Sequence, residues 1–321
     1  MFGSKVWLCT AAVLSGCTEK APPATDRADE AETESPPPAS DTDEDAGETG
    51  EAESSRCSAW GAPDVVATVS DPELDEISGL VVSRRHAGVL WVHEDSGAGP
   101  VLTALTTDGA SLATLTLRDA SSVDWEDLAI APCGEADCLW VGDFGDNSER
   151  RTDVQLLRVQ EPDLSVVGGA LEASVTAYPY AYTEGPQDAE ALVVTSTGQP
   201  YVLTKRTDAT SHIYRVPTSD STIAERVATI STGTTDGLPT ATTAADLWPD
   251  GTRLLVRGYL YSFELTLGPE GLAGADSATH TAVTTGVELQ GEAIAYDAVG
   301  QAIWHIGEGV NPPIWRIPCA D

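Results

Sequence analysis

One pattern recurs five times between residues 76 and 317 of this 321-residue chain. Each copy opens with a segment that starts on acidic or small residues and runs into apolar ones: Glu76 to Leu80, Asp124 to Leu128, Asp188 to Leu192, Thr243 to Leu247 and Gln290 to Ile294. A second apolar segment follows a turn, as in Leu90 to His93, Leu139 to Gly142, Tyr201 to Thr204, Leu254 to Arg257 and Ile303 to Ile306. A third comes next, as in Leu102 to Leu105 and Ile314 to Ile317, and most copies add a fourth, as in Leu112 to Leu117, Ala173 to Ala177 and Arg226 to Ile230. All are strand-length, rich in β-branched or aromatic residues, and bounded by turn signals such as Asp108-Gly109 and Pro249-Asp250-Gly251. None holds a helical period over ten residues. A four-stranded unit repeated about every fifty residues buries its faces by stacking on its neighbours around an axis. The sequence therefore predicts an all-β, five-bladed β-propeller, with Leu80, Leu128, Leu192, Leu247 and Ile294 as equivalent anchors. Six blades, with an irregular one inside 218–242 or 160–187, is the alternative. The last unit lacks a fourth strand and the segment Val65 to Val69 precedes the first, so the N-terminal segment is expected to complete the last blade and close the ring.

The N-terminus reads as a targeting device. Lys5 precedes the apolar stretch Val6 to Leu14, which is too short to span a bilayer and ends in Leu14-Ser15-Gly16-Cys17. That ending resembles a bacterial lipobox, which implies cleavage after residue 16, a lipid on Cys17 and, with Thr18 following, export to the outer membrane. Residues 18–56 carry 13 acidic residues against Lys20, Arg27 and Arg56, with Pro36-Pro37-Pro38 among them. Such a stretch cannot bury enough apolar surface to offset the entropy of ordering, so 17–56 is read as a lipidated cysteine and an extended linker. The propeller is assigned to 57–321. Four cysteines remain there, Cys57, Cys133, Cys138 and Cys319. An even number in an exported domain predicts two disulfides: a local one, Cys133 with Cys138, and one joining the ends of the domain, Cys57 with Cys319.

The formal net charge of −34 excludes binding to a nucleic-acid backbone or to anionic lipid through a basic face. Membrane attachment is expected through Cys17 alone, in the bacterial cell envelope, with the protein monomeric.

Several strings carry a family likeness: ISGL at 77–80, LWVHEDSG at 90–97, DWEDLAI at 124–130, LWVGDFGDN at 139–147, DAEAL at 188–192 and GEAIA at 291–295. They resemble an uncharacterised group of bacterial secreted β-propeller lipoproteins. That group is distantly similar to the esterase-like phytase, SdiA-regulated and gluconolactonase-type propellers. The resemblance spans roughly residues 70–318 and implies the propeller fold.

In a propeller the first strand of each unit lines the central channel, and residues two apart on a strand point the same way. The pairs Glu76/Ser78, Asp124/Glu126, Asp188/Glu190 and Gln290/Glu292 are therefore expected at one channel mouth. Glu76, Asp124, Glu126, Asp188, Glu190 and Glu292 would gather there, and like charges so close need a cation or raised pKa values. A hard cation with oxygen ligands fits, and Ca²⁺ suits an exported site. The competing account makes these side chains caps that accept backbone N–H bonds between blades. The ends of the second strands bring His93, Glu94 and Asp95, then Asp143, Asp146 and Asn147, then Lys205 and Arg206, then Arg257 and then Glu308 to the same face. His93 is the acid/base candidate. Lys205 and Arg257 are candidates for holding an anion, and Glu126 or Glu190 for a general base. No G-x-S-x-G, P-loop, G-x-G-x-x-G, H-E-x-x-H or C-x-x-C occurs. Two functions follow: a binding or scaffold module for a protein or small anionic ligand, with Ca²⁺ at the mouth, or a metal-dependent hydrolase of a phosphoester, ester or lactone. A filled, satisfied channel would favour the first. A concave pocket with an open cation position beside a basic residue would favour the second.

Overall fold

A computed structural model describes residues 57–320, apart from residues 96, 165–168, 220, 236–237 and 289. The expected signal (1–16) and the lipidated linker (17–56) lie outside the described residues. Five blades follow in chain order, and each inner strand packs beside the next, the fifth beside the first, so the ring is closed. Blade 1 is built from Ile77–Val82, Val89–Glu94, Val101–Thr106 and Ser111–Arg118, and blade 2 from Trp125–Cys133, Ala136–Asp143, Gln155–Gln160 and Thr176–Pro179. Blade 3 holds Ala189–Val194, Pro200–Thr204, Thr210–Arg215 and Ile223–Ser231, and blade 4 holds Thr242–Leu247, Arg253–Gly258, Tyr261–Thr266 and Thr279–Val283. Blade 5 takes Gly291–Tyr296, Ala302–Gly307 and Pro313–Pro318 from the C-terminus, and Asp64–Thr68 from the N-terminus completes it. No sixth blade occurs among the described residues.

Burial explains why these segments become these strands. The inner strands pack on both faces and read as continuous runs, as in Gly291–Tyr296, where every residue is buried. The outer strands alternate: in Ser111–Arg118 only Ala113, Leu115 and Leu117 are buried. The buried apolar side chains form five clusters, one at each blade interface. The first unites Trp91, Leu102 and Leu115 of blade 1 with Leu128, Leu139 and Leu157 of blade 2.

Two sequence expectations need correction. The segment 173–177 is not one strand. Ala170–Ser174 pairs in parallel with the outer strand of blade 1, and Thr176–Pro179 closes blade 2. In blade 4 the residue equivalent to Leu192 is Ala245, not Leu247, since the bulge that opens each inner strand falls between Thr242 and Ala244 there and between Ala189 and Ala191 in blade 3. A shift of two residues keeps every side chain on its face, so hydropathy could not distinguish the two.

Both disulfides are present, with Cα atoms 5.5 Å apart for Cys57–Cys319 and 5.7 Å for Cys133–Cys138. Strand pairing sets their place. In blade 5, Gly291 lies opposite Gly307 and Thr68 opposite Pro313 at one end, while Ala302 lies opposite Pro318 at the other. Cys57 and Cys319 thus sit at the end of blade 5 away from the start of its inner strand.

Candidate functional site

All five inner strands carry a bulge in their first residues. A bulge leaves one residue unpaired and re-aims its side chain. The bulged residues are Ser78, Glu126 (with Asp127), Glu190, Thr243 and Glu292. Two of them staple neighbouring blades: Ser78 Oγ donates to the Glu126 carbonyl at 2.6 Å, and Thr243 Oγ1 donates to the Gly291 carbonyl at 2.7 Å. The three glutamates make no such bond. They line a cavity of about 230 Å³ at the channel mouth, together with Ser78, Asp95, Asn147, Lys205, Tyr259, Gln290 and Glu308.

Glu126 is 5% exposed and Glu292 4%, and no hydrogen bond or ion pair reaches either carboxylate among the described residues. Glu190, equally buried, meets Lys205 Nζ at 2.5 Å, and that ammonium also stands 5.4 Å from the Tyr259 ring centre. Carboxylate oxygens of Asp95, Asp124 and Glu126 lie within 4.8 Å of one another, as ligands of one ion would. Gly145 makes this approach possible: a Cβ there would fall 1.9 Å from Glu126 Oε1 and 2.7 Å from the Asp124 carboxylate.

Electrostatics follow from this burial. Burial, with the charges of Glu190, Asp95 and Asp124 beside it, raises the Glu126 carboxyl well above its usual range. Burial pushes Glu292 up to about 9 and Glu190 to about 8, the latter against the pull of Lys205. Asp124, Asp188 and Glu308 are raised by burial as well. Burial works against the Lys205 ammonium, but Glu190 outweighs it and the amine is held protonated. A divalent cation placed among these oxygens would replace protons that they otherwise have to hold.

The remaining sequence candidates fall elsewhere. Glu76 is exposed and outside the cavity. Asp188 borders a second cavity of about 320 Å³, which shares Asn147 and Lys205 with the mouth and is also lined by Ser148, Glu149, Arg206, Thr207 and Asp208. Arg206 is held there by Asp208, with contacts of 2.7 and 3.2 Å. The expectation for residues two apart holds for Asp124 with Glu126 and for Gln290 with Glu292, and fails for Glu76 and Asp188, which precede strands that begin at Ile77 and Ala189 and stand apart from Ser78 and Glu190 across the bulge. His93 is buried behind Gly79, with Nδ1 2.8 Å from the Glu94 carbonyl and its ring edge-on to Trp125. Burial lowers it to about 4, so it stays neutral and does not line the mouth. Arg257 is 1% exposed; it pairs with Glu288, which also accepts from His305 Nδ1 at 3.0 Å. Arg257 therefore lies beneath Gly291 rather than in the cavity.

Other acids do serve the structure. Asp127 is fully buried and accepts from the N–H groups of Leu128 (2.8 Å), Leu192 (2.8 Å) and Ala245 (3.3 Å), tying blades 2, 3 and 4 together. Asp246 accepts from Leu247 and Tyr296, joining blades 4 and 5. Asp143 is held by Arg151 at 3.0 Å and Gln155 at 3.1 Å, and Asp146 caps the turn at Arg150 and Arg151. A larger groove, about 920 Å³, runs between blades 1 and 2 beside the Cys133–Cys138 turn, away from the carboxylates.

Sequence reasoning placed Asp95 on this face and missed Tyr259 and Gly145 as parts of the site. One signal was available for the cation: Lys205 is the only lysine beyond residue 20.

No family model matches this chain, and no curated protein matches it. Similar solved structures include the PQQ-bound aldose sugar dehydrogenase of Streptomyces coelicolor, at 13% identity over 80% of this chain and 98% of that one, with a TM-score of 0.47. A gluconolactonase of Xanthomonas campestris is similar at 12% identity over 75% of this chain and 71% of that one, with a TM-score of 0.42. The WD40 repeats of RRP9 are similar at 9% identity over 75% and 79%, with a TM-score of 0.41. These are likenesses of fold, and no residue role is taken from them.

Proposed function

We propose that the channel mouth binds a divalent cation, Ca²⁺ in an exported protein, and through it a small polar ligand, so that the propeller is a cation-dependent binding module. The observation that supports this reading is the pair Glu126 and Glu292. Both are buried, both face the cavity, and neither has a partner among the described residues. Asp127, Asp246, Asp143 and Asp146 show how a structural acid looks in this molecule: each is bonded to N–H groups of the backbone or of a side chain. Asp95, Asp124 and Glu126 would hold the ion, with Glu190 and Glu292 completing the acidic wall. The lipid on Cys17 would anchor the chain to the cell envelope. The chain enters the propeller at Cys57, at the end of blade 5 opposite the mouth.

Metal-dependent hydrolysis of an ester, lactone or phosphoester is the second reading. It draws on the concavity of the mouth and on Lys205 beside it, an arrangement unlike a filled scaffold channel. The ion would polarise the substrate or activate water. Glu190, whose carboxyl is raised towards neutral pH, would exchange a proton with it, and Lys205 would face developing negative charge.

Calorimetric titration of the chelator-treated protein with Ca²⁺ tests the first reading; the absence of both heat and thermal shift would remove it. A screen of ester, lactone and phosphoester substrates with and without Ca²⁺ tests the second. Turnover that needs Ca²⁺ and disappears in Glu190→Gln would establish the enzyme.

A further inference from the structure

The propeller uses twelve arginines and a single lysine, and that lysine stands in the mouth. An arginine presents a broad planar fork, whereas a lysine presents a compact point charge on a flexible stem, much closer in size to a metal ion. Lys205 Nζ lies 2.5 Å from Glu190 Oε1, and the two side chains are 19% and 5% exposed. Apart from Glu308, which accepts from Gln290 Nε2, the carboxylates at the mouth divide into two sets. Asp95, Asp124 and Glu126 converge within 4.8 Å. Glu190 and Glu292 complete the wall, buried, and Lys205 is bonded to Glu190. Glu126 feels the charges of Glu190, Asp95 and Asp124 together, so it adjoins both sets. Five carboxylates carry more negative charge than one divalent ion offsets. Two-metal sites meet that demand with a second ion about 4 Å from the first, often across a shared carboxylate.

We propose that the Lys205 ammonium fills the second cation position of a two-position mouth and so limits the site to one metal ion. Asp95, Asp124 and Glu126 take the ion, while Glu190 and Glu292 face the tethered ammonium. This rests on the reading of the mouth as a cation site. A ligand oxygen bound there would lie between an exchangeable ion and a fixed charge, which commits any chemistry at the mouth to a one-metal form.

The test counts bound Ca²⁺ by native mass spectrometry and calorimetry on the full-length protein after chelation. Wild type should bind one ion in the propeller. Lys205→Met, of similar length but uncharged, should bind two, and Lys205→Arg one. Glu190→Gln should keep the single ion and Asp124→Asn should lose it, which tests the division of the carboxylates should Lys205→Met fail to fold. Wild type binding no ion would overturn the cation reading and this proposal together. One ion in both wild type and folded Lys205→Met would overturn this proposal alone, as would loss of the ion in Glu190→Gln with retention in Asp124→Asn.

Discussion

Raising the pH from 6.5 to 8 in the presence of a chelator should destabilise this propeller, and the size of the effect follows from the mouth. Glu292 is held up to about 9 and Glu190 to about 8, against roughly 4.3 for a glutamate in an unfolded chain. Between those limits the folded protein binds more protons than the unfolded one, so stability falls as pH rises, by about 1.4 kcal/mol per pH unit for each group. His93 and His305 act in the other direction. Burial lowers both to about 4, so the unfolded chain binds the extra protons and stability rises with pH until roughly 6.5. The two effects offset below that pH. Above it the histidine contribution is complete and the carboxyls act alone. Glu190 and Glu292 alone give a loss of roughly 2 to 4 kcal/mol over this interval, the lower figure allowing for solvent at the mouth, and Glu126, raised as well, acts in the same direction. Urea unfolding at a series of pH values measures it, with the m-value checked for constancy. Ca²⁺ should lessen the slope, since its charge beside these carboxylates favours their ionised forms, and Glu292→Gln should reduce it. A stability that stays level or rises from pH 6.5 to 8 in chelator would refute the reasoning, because it would mean that these carboxylates are already ionised in the folded protein at pH 6.5.

Three further outcomes are expected. Asp127→Ala leaves the N–H groups of Leu128, Leu192 and Ala245 without their acceptor. After the relief of burying a carboxyl is deducted, it should lower unfolding stability by about 3 to 4 kcal/mol, with Asp127→Asn costing less than half as much. Cys319→Ser opens a bridge across 262 residues and should cost about 3 to 5 kcal/mol in denaturant titration, against about 2 for Cys138→Ser, whose bridge spans five. Gly145→Ala drives a methyl into Glu126 and Asp124. It should weaken Ca²⁺ binding about tenfold or more by calorimetry while moving the unfolding midpoint little.

Periodicity made much of the fold legible. Strand-length segments at a near-constant spacing have few ways to bury both faces, and the missing strand at one end matched the surplus strand at the other. Hydropathy failed where it is blind to register. Leu247 and Ala245 lie on the same face of one strand, and only backbone pairing shows which is equivalent to Leu192. The site was legible in part. Glu126, Glu190 and Glu292 were found because they open the repeat, whereas Glu76 and Asp188 were grouped with them on strand alternation that the bulges interrupt, and His93 was placed there as the end of a second strand though its ring packs behind Gly79.

The amino-acid sequence by itself pointed to a propeller, with five blades favoured over six, and to the closing strand, the cysteine pairs and the gathering of acids at one end of the ring; the count of five was decided by the structure. These depend on pattern and spacing, which are local and repeat along the chain. Which acid bonds to its neighbours and which stands without a partner was decided only by tertiary structure. Asp127 and Glu126 are adjacent in the chain, yet one ties three blades together through their N–H groups and the other faces the cavity. A single extra residue in the strand sends their side chains to different surroundings, and burial then sets the chemistry of each.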